Sequence, residues 1–383
     1  MKRVNVQEKA LKTECRNIAE ECTILGGIDT LYFFVDTNFS LASTKLYQNI
    51  WDSVNNHTFE QDCYKFLNFS GKKNGFVGAW YDYTNSQKHP LFKVGFKDPT
   101  KQKQVNNIYV QLLGTGIYSL GFSNLMEEVK KQLSLLLGTP ISNDNLFPSR
   151  VDLNVFVNNF DFSKLEYDMF RTNFPKPDIR RYNQEWIGVD FNYSHIIGKM
   201  NALETMYLGV PSAPLRLRIY DKRLELSVHS NKLQSLLKKS FLDSNGMTSE
   251  HLWQIEFQIR REILKAFEVN TMSDLLVKAD SIFKYLMQKN AFLGFCVDNI
   301  DKFRTTKNLH RLPISPIWQY IIDNYKFCNY TVDVKRIYKQ YREGSHYYSS
   351  GVILRELKRQ IEFNQGFTID ELMALFNEAQ KVY

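Results

Sequence analysis

The sequence lacks the short motifs that mark most nucleotide-binding and hydrolytic enzymes. It contains no Walker P-loop and no GxGxxG run, so nothing in it predicts nucleotide hydrolysis or dinucleotide binding. A GxSxG elbow is also missing, which argues against the familiar serine hydrolases. No two of the seven histidines are spaced by two or four residues, and this excludes an HExxH motif and a paired-histidine metal site.

Cysteine is scarce and long apolar runs are missing. The five cysteines form no CxxC pair, which argues against a disulfide framework and a cysteine zinc site. No run of about 18 apolar residues occurs, so we expect no transmembrane helix and no membrane partner. The amino-terminal stretch also lacks the apolar core of a signal peptide. The expected location is a reducing cytoplasm.

What is present is the composition of a basic globular protein. Of its 383 residues, 43% are hydrophobic and 23% are charged, a balance typical of folded domains. The length suffices for two domains, or for one large domain with an extension. The formal net charge of +8 favours a polyanionic partner, such as nucleic acid or an acidic membrane surface.

The hydrophobic pattern divides the chain into three parts. We predict an amino-terminal helix over residues 1–27, a catalytic domain over 28–300 and a helical extension over 313–383. Pro313 and Pro316 mark the expected linker before the extension. The predicted fold class is α+β, with an antiparallel sheet that leaves one polar catalytic face open and packs helices on the other.

Three predicted strands share a pattern in which apolar and polar residues alternate. They occupy residues 149–161, 215–222 and 251–260, each with one apolar and one polar face. The polar faces carry Asp152, Tyr220 and Glu256. Periodicity alone does not establish that the strands are neighbours, but an antiparallel sheet would let their polar faces converge on one site.

The residue types on these polar faces suit phosphodiester chemistry. Asp152 and Glu256 would offer hard oxygen ligands to Mg²⁺ or Mn²⁺. Tyr220 would lie between the metal and a row of cations, and nearby positive charge favours the phenolate over the phenol.

The cations of that row and its neighbours are expected to contact phosphate. Arginine binds phosphate oxygens bidentately. The candidates are Arg216, Arg218 and Lys222 beside the tyrosine, with Arg150 and Arg260 on the flanking strands.

A purely structural interpretation stays open on this pattern alone. A tyrosine in a strand usually serves packing. Asp152 beside Arg150, and Glu256 beside Arg260, could form ordinary surface ion pairs, which contribute little to stability.

Four motifs occur in an order that resembles a known family. They are a strand with Arg150 and Asp152, "ETMYLG" at 204–209, "RIYDK" at 218–222 and "EHLWQIE" at 250–256. In order, spacing and several uncommon residues they are similar to the Rep-trans family. That family comprises the rolling-circle replication initiators of small Gram-positive plasmids and related relaxases of integrative conjugative elements.

The resemblance covers roughly residues 28–300 and implies a specific chemistry. In this family the tyrosine of "RIYxK", here Tyr220, attacks a phosphodiester at the nick site of the origin. The products are a 5′-phosphotyrosine link and a free 3′-hydroxyl. Family members need a divalent metal held by acidic residues, and Asp152 and Glu256 match those positions. Arg218 and Lys222 would position or neutralise the scissile phosphate.

One position departs from the family pattern. A second acidic residue often follows the first by four positions, but here that position is Phe156. Either fewer strand carboxylates hold the metal, or Asp161 or Glu225 substitutes. The interval before Glu256 also predicts an inserted helix at 226–242.

The resemblance also implies partners. These are double-stranded origin DNA, the single-stranded nick site and a host helicase; a homodimer rests on family analogy. Arg150, Arg216 and Arg260 are the predicted DNA-binding residues of the sheet. The basic helical extension either grips duplex DNA or forms a solvated face. Its cations are Lys335, Arg336, Lys339, Arg342, Arg355, Lys358 and Arg359.

Three other interpretations remain at this point. A conjugative relaxase would use the same chemistry at a transfer origin. A non-catalytic origin- or operator-binding regulator would bind specific DNA without nicking it. A structural or interaction protein would leave the ordered motifs unexplained.

Overall fold

A computed structural model of the chain describes the larger part of its first 327 residues. The described residues are 17–18, 21–35, 49, 52–53, 67–71, 78–84, 89–97, 108–164, 170–172, 174, 178–181, 203–230, 232–294 and 312–327. The basic residues of the predicted extension lie outside them.

The described ranges contain both helices and strands. The strands are β1 (Thr23–Val35), β2 (Leu67–Gly71), β3 (Gly78–Thr84), β4 (Pro90–Lys97), β5 (Ile108–Leu112), β6 (Leu146–Asn158), β7 (Phe170–Arg171), β8 (Asp178–Arg181), β9 (Leu203–Leu208), β10 (Leu215–Asp221), β11 (Leu252–Arg260) and β12 (Ala291–Phe292). The helices are α1 (Gly114–Leu120), α2 (Phe122–Leu137), α3 (Lys222–Val228), α4 (Leu233–Ser244), α5 (Arg261–Ala266), α6 (Met272–Lys289) and α7 (Pro316–Asn324). Within these ranges, no helix is both long and apolar enough to cross a bilayer.

Ten of the strands form one sheet, in the order β2-β3-β4-β5-β1-β6-β11-β10-β9-β8. Every neighbouring pair in it is antiparallel. The remaining strands, β7 and β12, pair separately. The predicted α+β class with a large antiparallel sheet is confirmed.

The apolar face of the sheet forms the main core. In β6, Val151, Leu153 and Val155 are fully buried, as are Ile255 and Phe257 of β11. Apolar residues of α2, α6 and α7 join them in one cluster. Alternating strands and amphipathic helices thus bury their apolar sides against each other, which is the largest favourable contribution to folding.

The polar face differs from the prediction because part of it is covered. Asp152 and Glu256 are 1% and 0% exposed. The polar side also carries apolar residues such as Phe156, which packs in a second cluster with Tyr118 of α1 and Phe241 of α4. These apolar groups attract helices α1, α3 and α4 onto that end of the face, so the face is open only in part.

Several element boundaries differ from the sequence-based ones. Strand β1 begins at Thr23, inside the predicted amino-terminal helix. Strand β5 ends at Leu112, because the chain turns into α1 at Gly114. The predicted helix at 226–242 is two helices, α3 and α4, on either side of a short break.

The segment predicted as a linker lies in the core instead. Pro316 begins α7, whose Trp318 is fully buried and donates a hydrogen bond from Nε1 to the carbonyl of Met287 at 2.9 Å. Farther along, Phe327 forms a β-bridge with Gly26 of β1. A Cβ at Gly26 would lie 2.4 Å from the carbonyl oxygen of Lys326, so glycine is required there.

The start of the predicted extension therefore packs with the sheet as one unit. The apolar side chains of α7, such as Trp318, explain why a proline-flanked stretch is not a linker.

Candidate active site

The three strands singled out in the sequence are neighbours in the sheet. Strand β11 lies between β6 and β10. Glu256 is opposite Arg218 on one side and Asn154 on the other, and Tyr220 is opposite Gln254. Since side chains alternate along each strand, all of these residues lie on the same face.

Asp152 also lies on this face, one step along the strand direction. It is opposite Gln258, so Asp152 and Glu256 are diagonal neighbours on adjacent strands. Such neighbours have Cα atoms about 7–8 Å apart. The convergence of polar faces predicted from periodicity is therefore present.

Arg218 and Glu256 form an ion pair in the middle of the site. The guanidinium donates from Nη2 to Oε1 of the carboxylate, and Gln254 donates from Nε2 to Oε2 at 3.2 Å. Burial raises the pKa of Glu256 to about 7, against the opposing effect of Arg218. The predicted pairing of Glu256 with Arg260 is wrong, because Arg260 donates to the carbonyl of Pro211 at 3.1 Å.

Asp152 is held by a two-point contact with Arg150. Nε of the arginine donates to Oδ1 at 2.8 Å and Nη2 donates to Oδ2 at 2.5 Å. Burial raises the pKa of Asp152 above its ordinary value, and Arg150 opposes that shift. The ion-pair interpretation is thus correct for Asp152, although the pair is largely buried rather than a surface contact.

The oxygen atoms at the site fit a hard divalent cation in part. Among the described residues, no group of three or more His, Cys, Asp or Glu side chains could hold a metal ion. However, the buried Oδ1 of Asn154 and Oε1 of Gln254 have no hydrogen-bond partner in the described part of the chain. Both lie beside Glu256 in the register, so uncommitted amide oxygens adjoin the two carboxylates.

Neither residue suggested as a substitute for the acid missing at Phe156 belongs to this carboxylate pair. Glu225 lies 2.7 Å from Nζ of Lys222, with which it forms an ion pair. Asp161 accepts a hydrogen bond from the backbone of Ser163 at 3.0 Å, in the turn that follows β6.

Tyr220 is half-buried between two cations. Its ring centroid lies 6.0 Å from the guanidinium carbon of Arg218 and 5.2 Å from Nζ of Lys222. Burial raises the pKa of the phenol well above its ordinary value, and Glu256 and Asp29 add to the shift. Arg218 lowers the pKa, as expected of a nearby cation, but burial outweighs it, so the hydroxyl needs a base to ionise.

Lys222 is in a position to interact with that hydroxyl. Its Nζ lies 3.5 Å from the Tyr220 oxygen. The side chain is only 1% exposed, so the predicted contact with a DNA phosphate is not compatible with this position. The cause is local: Asp221 caps α3 by accepting from the Leu224 backbone at 2.9 Å, and the chain leaves the strand just before Lys222.

Burial also changes the acid–base behaviour of Lys222. Burial first, and then the charge of Lys238, lower the pKa of Lys222 from 10.5 to about 7. Glu225 and Asp29 oppose this shift. Near neutral pH, a substantial fraction of the amine is therefore uncharged.

A buried network behind Lys222 was not predicted from the sequence. The carboxylate of Asp29 accepts hydrogen bonds from the Tyr118 hydroxyl and from Nζ of Lys238. Burial alone would raise the pKa of Asp29, but Lys238 and Lys222 outweigh burial and keep it below its usual range. A register shift between Ile28 and Thr30 interrupts β1 at this residue. The sequence signal that could have revealed this network is Asp29 itself, an acidic residue in the otherwise largely apolar strand β1.

The three predicted DNA-binding arginines share the face with Tyr220. Arg150 lies opposite Arg260 in the register of β6 and β11. Arg216, two residues before Arg218, has its guanidinium carbon 4.7 Å from the ring centroid of Tyr207. All three arginines are half-buried.

Comparisons with known proteins give a distant likeness to a solved structure. Neither a protein-family model nor a curated protein matches the chain. Among solved structures, the chain is similar to a rolling circle replication initiator protein from Geobacillus stearothermophilus. The sequence identity is 16% and the TM-score 0.44, over 79% of this chain and 96% of that chain. At these values the likeness carries no inference about residues or chemistry.

Proposed function

We propose that this protein is a metal-dependent DNA nicking–closing enzyme that initiates rolling-circle replication. Tyr220 would attack one strand at the origin, forming a 5′-phosphotyrosine link and leaving a free 3′-hydroxyl. One observation carries the proposal. Asp152 of β6, Tyr220 of β10 and Glu256 of β11, which are far apart in the sequence, lie on a single face of the sheet.

The first step is removal of the phenolic proton. Because burial raises the pKa of Tyr220, the hydroxyl is protonated at neutral pH. The uncharged amine of Lys222, 3.5 Å away, accepts that proton. The Tyr220 oxygen then forms a bond to phosphorus, the bond from phosphorus to the 3′-oxygen breaks, and the leaving oxygen takes a proton from solvent. Rejoining reverses these steps.

Arginines on the same face offset the negative charge that develops on the phosphate. Arg218, whose side chain is 27% exposed, lies beside the tyrosine and can turn part of its guanidinium towards an incoming phosphate. Fixed cations of this kind stabilise the transition state because they need no reorganisation when the charge develops.

The acidic residues provide a site for the divalent cation. Asp152, Glu256 and Oδ1 of Asn154 would hold Mg²⁺ or Mn²⁺, which prefer oxygen ligands. The bound ion would supply Lewis-acid polarisation of a non-bridging phosphate oxygen. In the described structure, Arg150 and Arg218 neutralise these two carboxylates.

The partners follow from this activity. Duplex origin DNA and the unpaired nick site would both contact the protein, through Arg150, Arg216 and Arg260 on the sheet. A helicase of the host would unwind the duplex after nicking. A homodimer would pair two copies at one origin.

The test is nicking of supercoiled DNA that carries the origin of the protein's own genetic element. With Mg²⁺ or Mn²⁺ present, we expect relaxed circles and a covalent protein–DNA adduct. Both should fall to background in Tyr220→Phe, while Tyr285→Phe on the exposed side of α6 serves as the matched control and remains active. Full activity of Tyr220→Phe would contradict the assignment. Specific binding without nicking by the wild type would instead indicate a regulator.

A further inference from the structure

A row of cation–aromatic pairs continues along the site's face of the sheet. Each pair joins neighbouring elements, and its aromatic ring is half-buried. The pairs, with the distance from the cation to the ring centroid, are Arg216–Tyr207 at 4.7 Å, Arg150–Tyr32 at 5.4 Å, Arg261–Phe34 at 5.8 Å and Lys97–Tyr109 at 5.2 Å. We call these eight residues the aromatic–cationic row.

The rings belong to the polar side of the sheet and not to the core. Along β1, Leu31, Phe33 and Val35 are fully buried in the core, so Tyr32 and Phe34 project from the opposite face. Phe34 stacks on Phe147 of β6, with centroids 5.2 Å apart and rings 11° from parallel. These half-buried rings thus lie on the same side of the sheet as the candidate nucleophile.

The row crosses the sheet obliquely, from Tyr207 on β9, next to the strand of Tyr220, to Tyr32 and Phe34 on β1, which lies beyond β11 and β6. Tyr32 pairs with Arg150, whereas the residue of β6 in line with Tyr220 is Phe156. Arg150 and Phe156 are six positions apart along β6, which corresponds to about 20 Å of extended strand. Tyr207 lies at the near end, directly opposite Arg218. The row can therefore accommodate several nucleotides of an extended strand.

The charges of the row favour a polyanion. Arg150 of the row and Arg260, which lies beside the row, are directly opposite each other on adjacent strands, an arrangement of like charges that destabilises a sheet. Asp152 neutralises Arg150 in part. A phosphate backbone laid over these arginines would relieve the remaining repulsion.

We propose that the aromatic–cationic row binds the unpaired DNA strand adjoining the nick, with bases stacked on its rings and phosphates on its cations. Alternating rings and cations are the chemistry by which proteins hold single strands without strong sequence preference. A duplex keeps its bases stacked on each other and would gain from the cations alone. The proposal rests on the proposed function, since it assigns the substrate strand of that same site.

Binding can be measured apart from catalysis in the full-length Tyr220→Phe protein. The probes are a labelled oligothymidine of about 15 nucleotides and a random duplex of the same length, followed by fluorescence anisotropy. We expect the double change Tyr32→Leu with Phe34→Leu to weaken single-strand binding by about tenfold or more. Duplex binding should change less than about twofold.

A matched control exists on the other side of the core. Tyr285 of α6 is 46% exposed and has Lys289 at 5.4 Å from its ring centroid, but it does not belong to the row. Tyr285→Leu should leave single-strand binding unchanged. Equal losses for both probes, or no loss in the double variant, would overturn the proposal.

A second measurement covers the case in which the double variant fails to fold. An oligonucleotide containing 5-iodouracil is photo-crosslinked to the otherwise unchanged Tyr220→Phe protein, and the modified peptides are mapped. Crosslinks at Tyr32, Phe34 or Tyr109 support the row, whereas crosslinks confined to other regions contradict it. Neither measurement needs a nick, so a wild type that forms no adduct would sink the proposed function while leaving this result intact.

Discussion

Arg218 and Glu256 lie directly opposite each other on β10 and β11, and the guanidinium of the first donates a hydrogen bond to the carboxylate of the second. The carboxylate is completely buried, whereas the arginine retains contact with solvent. A buried pair of this kind is costly to break from one side, because the remaining partner keeps its desolvation penalty.

Substitution of Glu256 alone should therefore lower the free energy of unfolding more than substitution of both partners. At pH 8, where Glu256 is ionised, we expect Glu256→Leu to lower the free energy of unfolding by about 3 kcal/mol. Adding Arg218→Leu should recover much of this loss, since no unpaired charge remains. Urea denaturation measures both values. A double variant that is less stable than the single one would show that Arg218 stabilises the fold independently of Glu256.

Lys222 should make nicking depend on pH. The charged and titratable groups around it are Tyr220 of β10, Glu225 of α3, Lys238 of α4 and Asp29 of β1. We expect the rate to rise as pH increases through about 7, because only the uncharged amine accepts the phenolic proton. Glu256 titrates in the same range, so a substitution is needed to separate the two groups.

Lys222→Arg keeps the positive charge but cannot act as a base. It should lower the maximal nicking rate on the order of 100-fold and leave a pH dependence that reports Glu256 alone. An unchanged maximal rate would exclude Lys222 as the proton acceptor.

The pH dependence of folding stability gives an independent check on the pKa of Lys222. Folding lowers the pKa of Lys222 from 10.5 to about 7, so the unfolded chain binds more protons in that window and the contribution of Lys222 to stability rises with pH there.

Removal of divalent cations should stop cleavage and spare binding. We expect EDTA to abolish nicking while single-strand binding by Tyr220→Phe is unchanged. Asp152→Asn should need more Mn²⁺ to reach half-maximal nicking, because one carboxylate ligand is lost. Gel assays over a Mn²⁺ titration measure the shift. Nicking that persists in EDTA would rule out the metal requirement.

The salt dependence of single-strand affinity should report how many DNA phosphates the sheet contacts. For single strands, the logarithm of affinity falls with the logarithm of salt concentration by about 0.7 for each neutralised phosphate. Arg216→Gln should reduce the slope by about that amount, whereas Lys289→Gln on α6 should not alter it. An Arg216→Gln slope equal to that of the wild type would mean that Arg216 does not contact the backbone.

The alternation of residues in β6, β10 and β11 was enough to place Asp152, Tyr220 and Glu256 on one face. Strand periodicity has a fixed value of two, so the face of each residue follows directly from the sequence. The order of the strands does not follow from periodicity, because pairing depends on contacts between distant segments. The sequence therefore predicted which residues share a face, but not which strands are neighbours.

Burial was the property that the sequence did not predict. By strand periodicity, Lys222 would extend the polar face of β10. In the structure, Asp221 caps α3, the strand ends there, and the Lys222 side chain is buried. Asp29 reaches the site through a local irregularity in β1, which has no reliable signature in a single sequence. The pKa shifts of both residues depend on how helices α3 and α4 pack against the sheet. That packing is set by tertiary contacts, so it could not be predicted from local sequence.

The bridge between Gly26 and Phe327 has a consequence for synthesis of the protein. Strand β1 lies at the centre of the sheet, next to β6, yet one of its contacts comes from a residue about 300 positions later. A ribosome must therefore release Phe327 before β1 can make this contact. A nascent chain that stops before α7 lacks both the bridge and the buried Trp318, so we expect it to be less stable than the full chain.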